Sequence, residues 1–284
     1  MLLNLNMTAQ PTTKRVTSQF LKSLKTRNDA NSQKIVAVTA YDYLFAKLFD
    51  EIVDLVLVGD SLGMVVQGKS NTLSVTMDQM IYHTQNVARA LKHAHLVADM
   101  PFMSYQISTE EALRNAGRFL SEGGAASVKV EGGVTIAKTV ERLVECGIPV
   151  LGHIGLTPQS VNVFGGYKIQ GKTESAKESI LADAMALEDS GAYGIVLEGI
   201  PVDLAQMITQ KVKIPTIGIG AGPFCDGQIL VAQDLLGLNP EFNPKFVKKY
   251  ADLAGQVQKA VSDYAQEVKS SAFPQQSHSF YDNP

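Results

Sequence analysis

Short apolar runs rich in Val, Ile and Leu recur along the chain, and each ends at a glycine or a polar residue. Stretches with helical periodicity separate these runs, and this alternation is typical of repeated β-α units. Eight runs are present, at residues 35–40, 54–59, 96–100, 127–131, 149–153, 194–198, 215–220 and 228–232. Eight units favour an α/β protein with a closed (β/α)8 TIM barrel, although an open doubly wound sheet would also have parallel strands.

Capping signals and apolar spacing predict helices between and after the strands. Thr76 with Gln79, and Ser108 with Glu111, have the spacing of a capping box, in which side chains and main-chain amides at a helix start satisfy each other. Apolar residues within 244–269 recur at helical spacing. We therefore expect a C-terminal helical extension that closes the barrel or joins a partner.

The first 28 residues contain five basic side chains and no acidic one. This composition resembles an organellar transit peptide, but we favour a leader with a short helix at about residues 16–25, packed under the domain. No linker, repeat or low-complexity tract divides the remaining chain. We expect a single domain with a leader and N-terminal helix at 1–28, a barrel core at 35–240 and a C-terminal helix and tail at 244–284.

Composition excludes several classes of function. Of the 284 residues, 45% are hydrophobic and 19% charged, with a mean hydropathy of +0.03, as in ordinary globular proteins. The net charge of -3 gives no electrostatic reason to expect nucleic acid. No apolar run approaches the roughly 20 residues that span a bilayer. Cys146 and Cys225 lie too far apart for a thiolate zinc motif, which fits a reducing cytoplasm.

Acidic residues stand at the ends of three successive apolar runs, at Asp60, Asp99 and Glu131. Barrel chemistry takes place at the carboxyl ends of the strands, so we expect these acids to meet at one mouth. Carboxylates crowded in a poorly solvated site raise one another's pKa unless a cation compensates, and oxygen ligands without sulfur favour Mg²⁺. The three acids are our candidate Mg²⁺ ligands. The alternative is that each caps a helix or pairs with a nearby lysine.

Three further residues complete the predicted site. Strand alternation places Lys129 on the same face as Glu131, where it would hold a substrate carboxylate or enolate oxygen, or simply neutralise Glu131. His153 would position the substrate or serve as a hydrogen-bonded structural histidine. Glu198 would transfer a proton, or form a salt bridge at the barrel rim.

Long motifs surround these residues. They are TAYDY (39–43), VGDSLGM (58–64), ADMPF (98–102), VKVEG (128–132), GHIGLTPQS (152–160), FGGYKIQG (164–171), LE (197–198), GIGAG (218–222) and DGQILV (226–231). With this set the chain resembles the ketopantoate hydroxymethyltransferases, also called 3-methyl-2-oxobutanoate hydroxymethyltransferases, over roughly residues 35–280. The resemblance implies a Mg²⁺-dependent barrel that transfers a one-carbon unit from 5,10-methylenetetrahydrofolate to 3-methyl-2-oxobutanoate in pantothenate biosynthesis.

The resemblance also implies roles for single residues and an assembly, a homodecamer. It makes Asp60, Asp99 and Glu131 the metal group, Ser61 and Lys129 the keto-acid contacts, and Glu198 the proton acceptor. Together with the strand-end argument, it predicts that the substrate-binding residues are Asp60, Ser61, Asp99, Lys129 and His153. Two other hypotheses stay open. One is a Mg²⁺-dependent carbon-carbon lyase of the isocitrate lyase or phosphoenolpyruvate mutase type, whose chemistry also passes through an enolate. The other is a non-catalytic scaffold that keeps the barrel for assembly.

Overall fold

The structure is a computed structural model that describes residues 14–25 and 33–282. Its strands are β1 Ile35–Thr39, β2 Leu55–Val58, β3 His95–Asp99, β4 Ser127–Glu131, β5 Val150–Gly155, β6 Gly194–Glu198, β7 Thr216–Ile219 and β8 Gly227–Leu230. They pair in parallel in chain order, and β8 pairs with β1 to close the barrel. The predicted (β/α)8 barrel is confirmed, and the open doubly wound alternative is wrong.

Helices follow most strands. They are α1 Ser18–Ser23, α2 Tyr43–Phe49, α3 Leu62–Val65, α4 Met77–Ala90, α5 Thr109–Ser121, α6 Ala137–Glu145, α7 Val161–Phe164, α8 Glu174–Asp189, α9 Val202–Lys211, α10 Ala232–Leu235 and α11 Leu253–Lys269. Short 3₁₀ helices span Val134–Ile136, Pro158–Ser160 and Gln276–His278. The capping box of Thr76 and Gln79 is complete at the start of α4, as predicted. At α5 the Ser108 hydroxyl accepts a hydrogen bond from the Glu111 main-chain N–H.

Residues on β2, β3 and β4 are buried on both faces, because helices cover the outside of the barrel and side chains fill its interior. The register pairs Asp99 with Lys129, Glu131 with His153, and Gly155 with Glu198. The polar residues therefore come level with one another at the carboxyl ends of the strands.

Helix α1 closes the opposite, amino-terminal end of the barrel. The Thr17 hydroxyl caps it by accepting from the Phe20 N–H, and Leu21 is 1% exposed. Leu21 packs in one apolar cluster with interior side chains such as Leu55 and Val97. The predicted helix within residues 16–25 is confirmed, while residues 1–13 and 26–28 of the predicted leader lie outside the described residues.

A buried polar network lies between α1 and the strands. Nδ1 of His95 is 3.3 Å from the Val16 carbonyl, and Nε2 is 2.9 Å from the Ser127 hydroxyl. A carbonyl only accepts, so Nδ1 carries the proton and Nε2 accepts from Ser127. The Ser127 oxygen, 3.1 Å from the Tyr193 hydroxyl, then accepts from it. Burial lowers the pKa of His95 to about 4, with a smaller effect from Arg15, so His95 is neutral in the fold.

The chain divides into two compact units, Met1–Leu230 with the barrel and Val231–Pro284 with α10 and α11. The predicted terminal helix is present, but it begins at Leu253 and does not include residues 244–252. The N–H groups of Tyr250 and Leu253 instead donate to the carbonyls of Leu235 and Leu236 at the end of α10. In the part of the chain that the structure describes, no helix is long and apolar enough to cross a membrane.

Candidate active site

Five neighbouring strands, β2 to β6, carry the predicted residues to one end of the barrel. We call them the mouth cluster, which consists of Asp60 after β2, Asp99 at the end of β3, Lys129 and Glu131 on β4, His153 on β5 and Glu198 at the end of β6. Most of these side chains are at most 5% exposed, whereas the Glu198 side chain is 19% exposed. Glu198 is thus the acid of the cluster with the most access from outside.

Lys129 links the two sides of the mouth cluster. Its Nζ lies 2.8 Å from Oδ1 of Asp99, 3.0 Å from Nδ1 of His153 and 3.7 Å from Oε1 of Glu131. Burial alone would lower the pKa of Lys129, but the attraction of Asp99, Glu131 and Asp60 outweighs burial and raises it. Lys129 therefore remains an ammonium ion, and its nearest carboxylate oxygen belongs to Asp99.

Asp60 and Asp99 form a buried acidic pair. The Asp60 N–H donates to Oδ2 of Asp99 over 3.1 Å. Burial, followed by repulsion from Asp99 and Glu131, raises the pKa of Asp60 well above its usual value. Burial also raises the pKa of Asp99, although Lys129 opposes this effect. One lysine therefore leaves these carboxylates short of positive charge, which is the electrostatic condition that favours a bound cation.

Glu131 is more firmly engaged by the protein. Its Oε2 accepts from the Gln159 N–H over 2.9 Å, and its Oε1 lies 3.4 Å from Nδ1 of His153. Burial alone would raise the pKa of Glu131, but His153, Lys129 and the Gln159 N–H outweigh burial and lower it. Glu131 therefore stays ionised.

Within the described residues, no three His, Cys, Asp or Glu side chains are arranged to hold a metal ion. A cation at this mouth would therefore take one or two carboxylates and complete its coordination with water and substrate oxygens, which is the usual manner of Mg²⁺. Asp60 and Asp99 are the carboxylates with the strongest electrostatic need for such an ion.

Three buried polar atoms of the mouth cluster have no aligned hydrogen-bond partner among the described atoms. They are Oδ1 of Asp99, Oε1 of Glu131 and Nε2 of His153. Each lies within ion-pair distance of a neighbour, but out of line for a hydrogen bond. Buried polar atoms in native proteins nearly always have a partner. A polar ligand or ion at the mouth would supply the missing ones.

His153 lies between Lys129 and Glu198. Its Nε2 is 3.2 Å from Oε2 of Glu198. Burial and Lys129 would lower the pKa of His153, but Glu131 and Glu198 outweigh both and raise it. In the neutral ring, Nδ1 faces an ammonium group that can only donate, so the single proton belongs on Nε2, towards Glu198.

Ser61 follows Asp60 and begins α3 without capping it. Its hydroxyl lies 2.8 Å from the hydroxyl of Tyr41, which comes from the loop after β1. The Tyr41 carbonyl is in turn 2.7 Å from Nδ1 of His83. The Ser61 hydroxyl is thereby oriented at the edge of the mouth cluster.

Two buried residues at the mouth received no role from the sequence. Gln159 lies in the 3₁₀ helix after β5 and donates through Nε2 to Oδ2 of Asp60 over 2.9 Å. Tyr105, after β3, accepts the Glu131 N–H over 3.0 Å. Gln159 stands within the motif GHIGLTPQS, so a polar residue next to a strand end was the available signal.

Comparisons with known proteins identify relatives of this chain. The profile of a family described as ketopantoate hydroxymethyltransferase matches residues 15–276. A curated relative, the 3-methyl-2-oxobutanoate hydroxymethyltransferase of Syntrophus aciditrophicus (strain SB), is 53% identical over 275 residues, covering 96% of this chain and 100% of the relative.

Solved structures of other enzymes share the fold. A phosphonopyruvate hydrolase in complex with oxalate and Mg++ superposes with a TM-score of 0.59 at 12% identity, covering 92% of each chain. A 2,3-dimethylmalate lyase of the PEP mutase/isocitrate lyase superfamily has a TM-score of 0.57 at 17% identity, covering 93% of this chain and 88% of the lyase. At such low identities the likeness is one of fold alone.

Proposed function

The chain belongs to the ketopantoate hydroxymethyltransferase family and is a transferase, and we propose that it moves a hydroxymethyl group from 5,10-methylenetetrahydrofolate to 3-methyl-2-oxobutanoate. The products would be 2-dehydropantoate (ketopantoate) and tetrahydrofolate, in the first step of pantothenate biosynthesis. The observation that carries this proposal is the mouth cluster. There a buried ammonium group, two buried carboxylates with too few positive charges near them, and the more accessible Glu198 converge. The partners of such a site are small molecules.

The cofactor of this reaction would be Mg²⁺, with Asp60 and Asp99 as its protein ligands. Glu131, the third acid of the predicted metal group, is engaged by Gln159 and His153 and would stand beside the ion. The raised pKa values of both aspartates, and the 3.1 Å contact between the Asp60 N–H and Oδ2 of Asp99 that brings the two residues together, support this choice. When bound, the ion supplies Lewis-acid stabilisation of the negative charge that develops on the keto acid. The phosphonopyruvate hydrolase that shares this fold was solved with Mg++ and oxalate.

Lys129 and Ser61 would bind the keto acid. Lys129 is an ammonium group that is 4% exposed, so its attraction for an anionic oxygen is little screened by water. The Ser61 hydroxyl, oriented by Tyr41, supplies a neutral donor beside Asp60. These two groups would fix the 2-oxo acid so that its acidic carbon-hydrogen bond faces Glu198, and such orientation lowers the barrier to proton transfer.

Glu198 would act as the general base. It would take the proton from the carbon next to the keto group, and the carbon-hydrogen electron pair would form the enolate. The enolate carbon would then form a bond to the one-carbon unit, both bonds from that unit to the folate nitrogens would break, and water would supply the hydroxyl group. One nitrogen would take the remaining proton of that water, and the other would take the proton that Glu198 removed. His153, whose Nε2 faces Glu198, would keep the carboxylate in place.

The experiment that tests this function is an assay of the purified protein with 3-methyl-2-oxobutanoate, 5,10-methylenetetrahydrofolate and Mg²⁺. We expect ketopantoate to form only when both substrates are present, and no cleavage of 2-methylisocitrate. Cleavage without folate-dependent ketopantoate would favour the lyase hypothesis. Absence of both activities from folded protein would favour the scaffold hypothesis.

A further inference from the structure

Gln159 hydrogen-bonds to two acids of the mouth cluster, Asp60 and Glu131. It is 6% exposed and its side-chain Nε2 donates to Oδ2 of Asp60 and to the Met100 carbonyl, both over 2.9 Å. Its main-chain N–H donates to Oε2 of Glu131 over 2.9 Å. Asp60 and Glu131, which come from different strands, are therefore both held by Gln159.

The orientation of the Gln159 amide is fixed by its neighbours. The Met100 carbonyl can only accept, so it requires the amide nitrogen on its side. The amide oxygen accepts from the Tyr105 hydroxyl over 2.8 Å and from Nε2 of Gln106 over 3.1 Å. If the amide were flipped, its oxygen would face the Met100 carbonyl, which cannot donate, and its nitrogen would face Nε2 of Gln106, which cannot accept. The nitrogen therefore points at Asp60.

Tyr105 connects this amide to β4. Its hydroxyl accepts the Glu131 N–H over 3.0 Å, and its single proton has two acceptors, Oε1 of Gln159 at 2.8 Å and the Glu131 carbonyl at 3.1 Å. The shorter contact is to Gln159. Tyr105 and Gln159 thus hydrogen-bond to each other and both hydrogen-bond to Glu131. The Gln159 side chain, fixed in this way, also hydrogen-bonds to Asp60.

We propose that Gln159 is a positioning residue that fixes the Asp60 carboxylate, relative to Glu131, in the orientation that a divalent cation requires. This inference rests on the proposed function, because that function makes Asp60 a metal ligand. The amide occupies Oδ2 of Asp60 and so limits rotation of the carboxylate. Hydrogen bonds from outer residues to metal-binding carboxylates are a general means of setting ligand geometry and affinity.

The test measures Mn²⁺ binding to the full-length protein by the electron paramagnetic resonance signal of the free ion, with Mg²⁺ as competitor. In Gln159→Met the side chain keeps its approximate size but loses every amide hydrogen bond. We expect Mn²⁺ to bind about 10 to 100-fold more weakly. Gln85→Met is the matched control, because it removes a glutamine amide on α4 that donates to the Glu122 carbonyl and takes no part in the hydrogen bonds around Gln159. We expect wild-type Mn²⁺ affinity in this control.

Thermal unfolding without metal separates positioning from stability. Gln159→Asn is a second variant whose shorter amide cannot reach Asp60, and we expect the same weakening of Mn²⁺ binding in a folded protein. Wild-type affinity in folded Gln159→Met or Gln159→Asn would overturn the proposal, as would failure of both variants to fold, which would make the role structural. A wild-type protein that binds no Mn²⁺ would instead overturn the metal assignment itself, and this proposal with it.

Discussion

Nε2 of His153 lies 3.2 Å from Oε2 of Glu198, while the other nitrogen of the same ring lies 3.0 Å from Nζ of Lys129. The imidazole therefore separates the cationic centre of the mouth cluster from its most accessible acid. A neutral ring in this position presents a proton to Glu198 and a lone pair to Lys129. Glu198 thus lies at the edge of the site within ion-pair distance of His153, and the proposed function makes it the base for a carbon-bound proton.

Replacement of Glu198 by Gln is expected to abolish exchange of the acidic hydrogen of 3-methyl-2-oxobutanoate with deuterated water. An amide has no basic carboxylate oxygen, and loss of a general base typically costs about 10² to 10⁴-fold in rate. Exchange followed by proton NMR, without folate, measures this step alone. Keto-acid binding in the presence of Mg²⁺ should persist. Glu174→Gln, at an 85% exposed side chain on α8, is the control, and unchanged exchange in Glu198→Gln would refute the base assignment.

Asp99→Asn should weaken Mg²⁺ and keto-acid binding together. The substitution keeps the shape of the side chain but removes a charge that the ion would need, and it also removes the partner of Lys129 at 2.8 Å. Calorimetric titration with Mg²⁺, and then with keto acid at saturating Mg²⁺, measures both affinities. Asp78→Asn provides a control on an 84% exposed acid. Normal Mg²⁺ affinity in Asp99→Asn would remove Asp99 from the metal group.

Lys129→Met should destabilise the barrel as well as impair substrate binding. Asp99 and Glu131 would be left as buried carboxylates without their cation, and breaking a buried ion pair in this way costs about 3–5 kcal/mol. Urea unfolding at neutral pH measures the loss. Because Mg²⁺ would replace part of the missing positive charge, we expect added Mg²⁺ to restore more stability to the variant than it adds to wild type. Equal stability of the two proteins without metal would contradict this account.

His95 predicts a pH dependence of stability that is independent of the mouth cluster. Its pKa is about 4 in the fold against 6.5 as the reference value, so between these values the unfolded chain binds a proton that the native state does not. Stability therefore rises with pH across this window, and about 3 kcal/mol is lost as pH falls from 6.5 to 4. The full contribution is present above pH 6.5.

The measurement is the unfolding free energy of wild type and His95→Gln at several pH values. The variant should be less stable at pH 7, but its stability should fall less between 6.5 and 4, since the proton uptake of the unfolded imidazole is gone. Carboxylates contribute to the slope in both proteins and cancel in the difference. Parallel pH curves for the two proteins would show that His95 is not the group responsible.

The barrel was predictable because residues close together in the sequence determine where each strand begins and ends. Each strand is a short apolar run between turn signals, and the two-residue period of a strand is enough to place Lys129 and Glu131 on one face, where their charged atoms lie 3.7 Å apart. The order of the acids at strand ends then follows from the parallel register. The homodecamer and the single-domain organisation stay predictions.

Other features depend on residues that are distant in the sequence and could not be predicted from local patterns. Gln159 is 99 positions from Asp60 in the sequence, and nothing in its local pattern identifies that partner. The apolar pattern predicts a helix from residue 244, but α11 begins at Leu253, because the N–H of Tyr250 bonds to the Leu235 carbonyl and not within a helical turn of its own. Apolar periodicity does not report where main-chain amides find acceptors.

The helix that carries Leu21 covers the amino-terminal end of the barrel, whereas the mouth cluster stands at the rim of the opposite end. Tolerance to substitution should therefore differ between the two ends of the same strands. Substitutions at the amino-terminal end would change the stability of the barrel and hence the amount of folded protein in a cell. Substitutions at the rim would change which substrates are turned over. A library confined to rim loops would explore new substrates on a scaffold whose resistance to unfolding is set elsewhere.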